Sequence, residues 1–241
     1  MSGHGRFAWF ELVTPDVEGG AAFWSEVGGL SRQGMDMGGT EYVMLARGEP
    51  FAGVVTPQMP EVRPHWLSYW GVDDVDARAA RVPAAGGTVV VPPTDIPNVG
   101  RFAIVADPQG AVFALFRGAS DDAPSPAIGW VELWARDAPA VLPFYVEVLG
   151  LTTDVRSMRN GGYHVLYADG QQVAGVMNSP NPTVPPMWLP YLTVDDVDSA
   201  GARATQHGGT LASEWMTVPG VGRFGVVLDR QRAALALLQR E

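Results

Sequence analysis

The sequence predicts an α+β fold built from four strand–helix–strands modules, two in each of two tandem domains. Three observations lead there. The chain has 241 residues with 46% apolar and 17% charged side chains, which suits one large or two small folded domains. It repeats itself: "FAWFELVTPDVEGGAAFWSEVGGL" (Phe7 to Leu30) returns as "IGWVELWARDAPAVLPFYVEVLGL" (Ile128 to Leu151), so that Trp9, Glu11 and Phe23 match Trp130, Glu132 and Phe144 at an offset of 121. A second block, "VRPHWLSYWGVDDVD" (Val62 to Asp76), matches "VPPMWLPYLTVDDVD" (Val184 to Asp198) at an offset of 122, with ten of fifteen positions identical. The register holds through "VGRF" (Val99 and Val221) and through Asp107 and Asp229. A period of this length is too long for a solenoid and marks two domains of ordinary size. The expected boundaries are 1–119 and 128–241, with a small, polar, proline-bearing linker at 120–127.

The elements of one repeat follow in order. Phe7 to Thr14 alternates and reads as a strand. Asp16 opens a helix that carries Ala21, Phe23 and Trp24 and stops at Gly28-Gly29. Tyr42 to Ala46, Ala52 to Val55 and Trp66 to Val72 read as strands. Asp73 or Asp74 caps a helix from Val75 to about Ala85, closed by Gly86-Gly87. Thr88 to Val91, Phe102 to Ala106 and Ala111 to Phe116 complete the repeat as strands. The proline-rich runs Pro57 to Pro64 and Asn178 to Met187 are connectors.

Composition removes several function classes. Cysteine is absent, and with it disulfides, thiolate metal sites and thiol nucleophiles. Every one of the 16 basic residues is arginine, so no lysine Schiff base can form. A formal charge of −10 with no basic stripe argues against nucleic acid and anionic membranes as partners. No apolar run approaches the roughly 20 residues that span a bilayer, and the start of the chain lacks the pattern of a secretory signal. The expected location is the cytoplasm.

The order "strand, acidic residue, helix, Phe-Trp or Phe-Tyr, Gly-Leu", with both "VDDVD" segments, "VADPQGAVFALF" and its weaker echo "VLDRQRAALALL", resembles the vicinal oxygen chelate superfamily (glyoxalase, bleomycin-resistance and dioxygenase-like proteins). It looks like the tandem glyoxalase-like or hydroxylase-like subgroup of actinobacteria. The resemblance implies β-α-β-β-β modules paired into cup-shaped sheets, with helices outside and small molecules bound in the cup. It also places one face of the first strand, with Phe7, Trp9, Glu11 and Val13, inward.

Metal-dependent members of the family carry His, Gln or Glu at four strand positions. Counting from the helix-start aspartates and from "DPxG" puts those positions here at Trp9 and Trp130, Leu67 and Leu189, and Ala114 and Ala236, with the remaining one near Gly53 to Val55 and Gly175 to Met177. None of these side chains binds a divalent ion. The expectation is therefore no metal, no other cofactor, and none of the Lewis-acid chemistry of those relatives.

Two functions remain. The first is a metal-independent binding protein holding a hydrophobic or aromatic secondary metabolite among Trp9, Trp130 and Trp134, inward by parity with the face the resemblance turns inward, and Tyr69 and Tyr191, which share the face of Leu67 and Leu189 and are inward under the same alignment. Trp134 stands out because Val13 occupies its place in the first repeat. The second is a metal-independent cyclase, isomerase or lyase of secondary metabolism. It would use Glu11, Glu132 or His164 for proton transfer, since an inward carboxylate needs a partner and His164 occurs in one half only. The competing structural readings are that the tryptophans fill the vacated metal region, that the glutamates brace their modules, and that Arg101 and Arg223, which could also bind an anionic ligand, pair with Glu11 and Glu132 or with helix-start aspartates. The chain is expected as a monomer or a homodimer with a small-molecule ligand.

Overall fold

The computed structural model of the chain describes residues 4–36, 41–118, 127–156 and 162–241. Four modules follow one another. The first is β1 (Phe7–Val13), α1 (Val17–Gly28), β2 (Ser31–Asp36), β3 (Glu41–Arg47) and β4 (Glu49–Val55). The second is β5 (His65–Gly71), α2 (Val75–Arg81), β6 (Thr88–Ile96), β7 (Gly100–Ala106) and β8 (Val112–Gly118). The third is β9 (Ile128–Ala135), α3 (Ala138–Leu149), β10 (Thr152–Arg156), β11 (Tyr163–Ala168) and β12 (Gln171–Asn178). The fourth opens with β13 (Met187–Thr193) and α4 (Val197–Gln206). Its next strand is broken into β14 (Thr210–Leu211) and β15 (Met216–Val218), which both pair with β16 (Gly222–Leu228) before β17 (Ala234–Arg240) ends the module.

The strands lie in two sheets. Within every module the helix carries the chain across, three strands return as an antiparallel meander, and the last runs parallel to the first. The four parallel registers are equivalent: Glu11 faces Gly53, Tyr69 faces Ala114, Glu132 faces Gly175 and Tyr191 faces Ala236.

Local chemistry sets the helix ends. Asp16, Asp74, Asp137 and Asp196 each accept a hydrogen bond from the backbone N–H three residues on. Gly29 and Gly150 close α1 and α3 in the left-handed conformation, at φ 62° and 71°. α2 is shorter than the sequence suggests. Pro83 has no N–H to extend the ladder, and Val82 bonds back to Ala79 as the helix tightens. β2 and β10 are exposed at every residue, so no apolar alternation announced them; the backbone ladders to β3 and β11 hold them. β6 continues through Pro92 and Pro93 with two shifts of register. The expected linker at 120–127 lies outside the described residues except for Ala127, which is buried.

Contacts group the chain into two compact units that interleave along the sequence. One comprises Met1–Trp9, Ser68–Pro124 and Trp130–Trp188; the other comprises Phe10–Leu67, Ser125–Gly129 and Leu189–Glu241. In the first unit Phe7, Trp70, Trp188, Tyr145, Phe113 and Phe144 form one continuous aromatic core. The buried Asp107 organises the β7–β8 turn by accepting from the N–H of Gln109 and Ala111. Its other oxygen accepts from the Tyr145 hydroxyl of α3 at 2.8 Å, and Trp188 in turn donates to that hydroxyl at 3.2 Å.

The second unit repeats the device. Asp229 accepts from Gln231 and Ala233, and the Trp24 indole of α1 donates to it at 3.2 Å. Burial pushes the Asp229 carboxyl above its usual range against the pull of these bonds. Arginines finish the packing. Arg203 of α4 donates to the carbonyls of Glu26 and Val27 at the end of α1, and Arg78 of α2 to that of Val148 at the end of α3.

Candidate functional site

In the third module β9 sets Trp130, Glu132 and Trp134 on one strand face, since alternate residues point the same way. Glu132 is only 6% exposed, whereas the two tryptophans are half-buried. Tyr163, on β11, reaches across β12 to them. Its hydroxyl donates to Glu132 Oε1 at 2.8 Å and accepts from Trp130 Nε1 at 2.8 Å. Trp134 Nε1 donates to Glu132 Oε2 at 2.7 Å. The carboxylate is thus gripped at both oxygens by donors. Burial, then the Glu132 charge and hydrogen bond, push the Tyr163 phenol far above its usual range, so it keeps its proton.

Gly175 makes this reach possible. It sits opposite Glu132 on β12, and a Cβ there would lie 1.9 Å from Tyr163 Oη. The tyrosine occupies the space that a side chain would take. The first module repeats the arrangement: Tyr42 donates to Glu11 Oε1 at 2.9 Å, and a Cβ on Gly53 would lie 1.8 Å from Tyr42 Oη. Tyr42 and Gly53 map onto Tyr163 and Gly175 at the repeat offsets of 121 and 122. The two modules differ where Val13, buried, takes the place of Trp134.

Other residues singled out in the sequence stand as follows. Trp9 is half-buried on the Glu11 face of β1. Tyr69 and Tyr191 are buried and meet Phe116 and Phe224 edge to face, with ring centres 6.0 and 5.6 Å apart. His164 follows Tyr163 and therefore points to the opposite face of β11, away from Glu132. It is 5% exposed, and among the described residues neither ring nitrogen has a hydrogen-bond partner. Arg101 pairs with Asp76, in the first turn of α2, and with Asp95; Arg223 pairs with Asp198, in the first turn of α4. Those arginines tie "VGRF" to "VDDVD". Tyr42 and Tyr163 are the site residues that sequence reasoning passed over. The paired recurrence of Tyr and Gly was the available signal.

The residues at which the resemblance puts the ligands of metal-dependent members do not have side chains that fit a divalent ion. Two are indoles, and Trp130 spends its N–H on Tyr163. Leu67, Leu189, Ala114 and Ala236 are buried hydrocarbon, and the stretches Gly53 to Val55 and Gly175 to Met177, near which the remaining one is expected, hold no His, Asp or Glu. Among the described residues no three His, Asp or Glu side chains are grouped as a metal would need. Nor is any helix among them long and apolar enough to cross a membrane.

Four β-α-β-β-β modules in two tandem pairs define a glyoxalase-like architecture. The chain belongs to the Glyoxalase/Bleomycin resistance protein/Dioxygenase superfamily, whose family model matches residues 6–115 and 127–237. It is 35% identical to the putative glyoxylase CFP32 of Mycobacterium tuberculosis, over 96% of this chain and 93% of that protein. It is 31% identical to the anthracycline biosynthesis protein DnrV of Streptomyces peucetius, over 98% and 93%. Among solved structures, the Mn(II)-bound glyoxalase from Novosphingobium aromaticivorans shares the fold at 16% identity and a TM-score of 0.67, covering 100% of this chain and 84% of that one. The halotolerant catechol dioxygenase BphC shares it at 15% identity and a TM-score of 0.64, covering 98% and 86%.

Proposed function

We propose that the chain is a metal-independent small-molecule-binding protein of the cytoplasm, acting as a monomer or homodimer of two tandem domains (1–119 and 128–241). It holds a hydrophobic, aromatic secondary metabolite against tryptophan- and tyrosine-bearing strand faces. The observation that carries this reading is the face of β9, where two half-buried indoles flank a hydrogen-bonded carboxylate; the Trp, Leu and Ala at the positions where the resemblance puts metal ligands support it. Such a surface suits a flat conjugated ligand, at about 1 kcal/mol per stacked ring pair beyond area burial. Similarity to a protein named for anthracycline biosynthesis supports a fused-ring metabolite as the ligand class. Trp9, Tyr69, Trp130, Trp134 and Tyr191 are the contact residues of this reading.

A second reading, a metal-independent cyclase, isomerase or lyase, is favoured by the Tyr163–Glu132 hydrogen bond. There Tyr163 holds a proton and Glu132 is the group that takes one; Glu11 with Tyr42 is the same pair in the first module. Titration with a fused-ring aromatic compound, followed by intrinsic tryptophan fluorescence and mass analysis of the recovered ligand, separates the two. Quenching with unchanged mass supports binding, and a chemically altered ligand supports the enzyme. Absence of any fluorescence change across a panel of such compounds overturns the binding reading.

A further inference from the structure

We propose that two copies of the chain associate through β10, the edge strand of the third module, paired antiparallel about a twofold axis at Val155. The proposal goes beyond the binding reading, which is stated for one copy or two, and commits to a second copy of this chain as the partner. Its first ground is a sheet end left open. β10 lies at one end of the nine-stranded sheet and is exposed at every residue. Such an edge presents backbone donors and acceptors that a further strand can pair with. The other sheet ends among the described residues are blunted. β6 contains Pro92 and Pro93, β14 and its continuation β15 are two and three residues long, and in β2 the Glu41 carboxylate lies where a Cβ of Gly34 would stand. Its second ground is an apolar row that runs out to the edge. Leu133, Val176, His164 and Val155 stand opposite one another across four strands and so share a face. The first three are buried, whereas Val155 is 58% exposed. A second β10 laid along the edge covers Val155 with its own Val155 and continues the row.

The third ground is charge complementarity. With Val155 opposite Val155, Asp154 of each copy stands opposite Arg156 of the other, on the face away from the valines. Both side chains belong to exposed residues, and Asp154 accepts from the Val155 N–H at 2.8 Å, which holds its carboxylate close to the strand backbone. Moving the twofold axis by one residue sets Asp154 against Asp154 or Arg156 against Arg156, so like charges exclude the neighbouring registers. At the repeat offset of 121 the first module has Gln33, Gly34 and Met35 in place of Asp154, Val155 and Arg156, and offers neither the charge pairs nor the apolar centre. The pairing is short, so the dimer is expected to be reversible and to grow with concentration.

Sedimentation velocity of the full chain over a micromolar-to-millimolar concentration series tests the proposal. A monomer–dimer equilibrium is expected. Asp154→Arg turns both attractions into repulsions and is expected to raise the dissociation constant roughly tenfold or more. Adding Arg156→Asp to it exchanges the two signs and is expected to return the constant to within about threefold of that of the unaltered chain. Monomer throughout the series overturns the proposal. A dimer indifferent to Asp154→Arg, or one that the exchanged pair does not restore, has its interface elsewhere and overturns it as well. Hydrogen exchange on the unaltered chain decides the matter even where a variant does not fold. Protection of the Thr152–Arg156 amides is expected to rise with concentration while that of β2 stays constant, and unchanged exchange at concentrations where dimer is present overturns the assignment to β10. None of these readouts involves a ligand, so their failure leaves the binding reading standing.

Discussion

Replacing Gly175 by alanine tests the Tyr163–Glu132 cluster through a single methyl group. The added Cβ would lie 1.9 Å from Tyr163 Oη and 2.4 Å from Cζ, where ordinary contact begins near 3.4 Å. The phenol must retreat by roughly 1.5 Å, the difference between those distances, and a rigid ring cannot do so by bending. That displacement breaks two 2.8 Å hydrogen bonds, one to Glu132 and one from Trp130. Losing a bond to a charged acceptor costs about 1.5–3 kcal/mol and losing a neutral one about 1 kcal/mol. Alanine for glycine in a strand without a clash stabilises by about 0.4–1 kcal/mol through the unfolded chain. The net expectation is a loss of about 2–3 kcal/mol, read as a lower denaturant midpoint in urea with tryptophan fluorescence as the probe. In a Tyr163→Leu background the clash partner is gone, so Gly175→Ala should be neutral or slightly stabilising. An unchanged midpoint in the tyrosine background, or the same penalty in the leucine background, refutes the account of Gly175.

Three further outcomes are expected. Tyr145→Phe removes the donor to buried Asp107 and should lower stability by about 1.5–3 kcal/mol in chemical denaturation, with far-UV circular dichroism unchanged at low denaturant. The Arg78 guanidinium holds the Asp73 carboxyl at about 2, so its stabilising contribution is present above the ordinary carboxylate value of 3.8 and is lost as pH falls toward 2. Carboxyl-carbon NMR should show that midpoint moving up toward 3.8 in Arg78→Ala. Arg203→Ala frees the carbonyls of Glu26 and Val27 at the end of α1 and should cost about 0.5–1.5 kcal/mol, with faster amide exchange in the last turn of that helix.

Much of the fold could be read from local chemistry. The strand at Phe7 ends at Val13, one residue before the expected boundary, and the helix begins after Asp16 because its side chain accepts from Gly19 N–H. The family and the β-α-β-β-β order followed from short motifs repeated in register. What escaped was held by partners rather than by pattern. β2 has no apolar face and exists because β3 supplies its ladder. β6 runs through two prolines because bulges absorb them. The site was half legible. Parity placed Trp130, Glu132 and Trp134 together on a strand, but the tyrosine that links them comes from a different strand, and the glycine that admits it carries no chemistry of its own. His164 drew notice as a histidine unique to one half, yet position on a strand alternates faces, and its neighbour Tyr163 is the one that reaches the glutamate.

The clasps formed by Trp24 with Asp229 and by Tyr145 with Asp107 each join the first half of the polypeptide to the second. Each buried aspartate has backbone donors from its own half on one oxygen, and the side-chain donor on the other oxygen comes from the opposite half. Severing the chain between the repeats would therefore yield fragments that need each other, and co-expression should restore what either lacks alone. An ancestor encoding a single repeat would have met the same need by pairing with its twin, and gene fusion converts that concentration-dependent partnership into a permanent one.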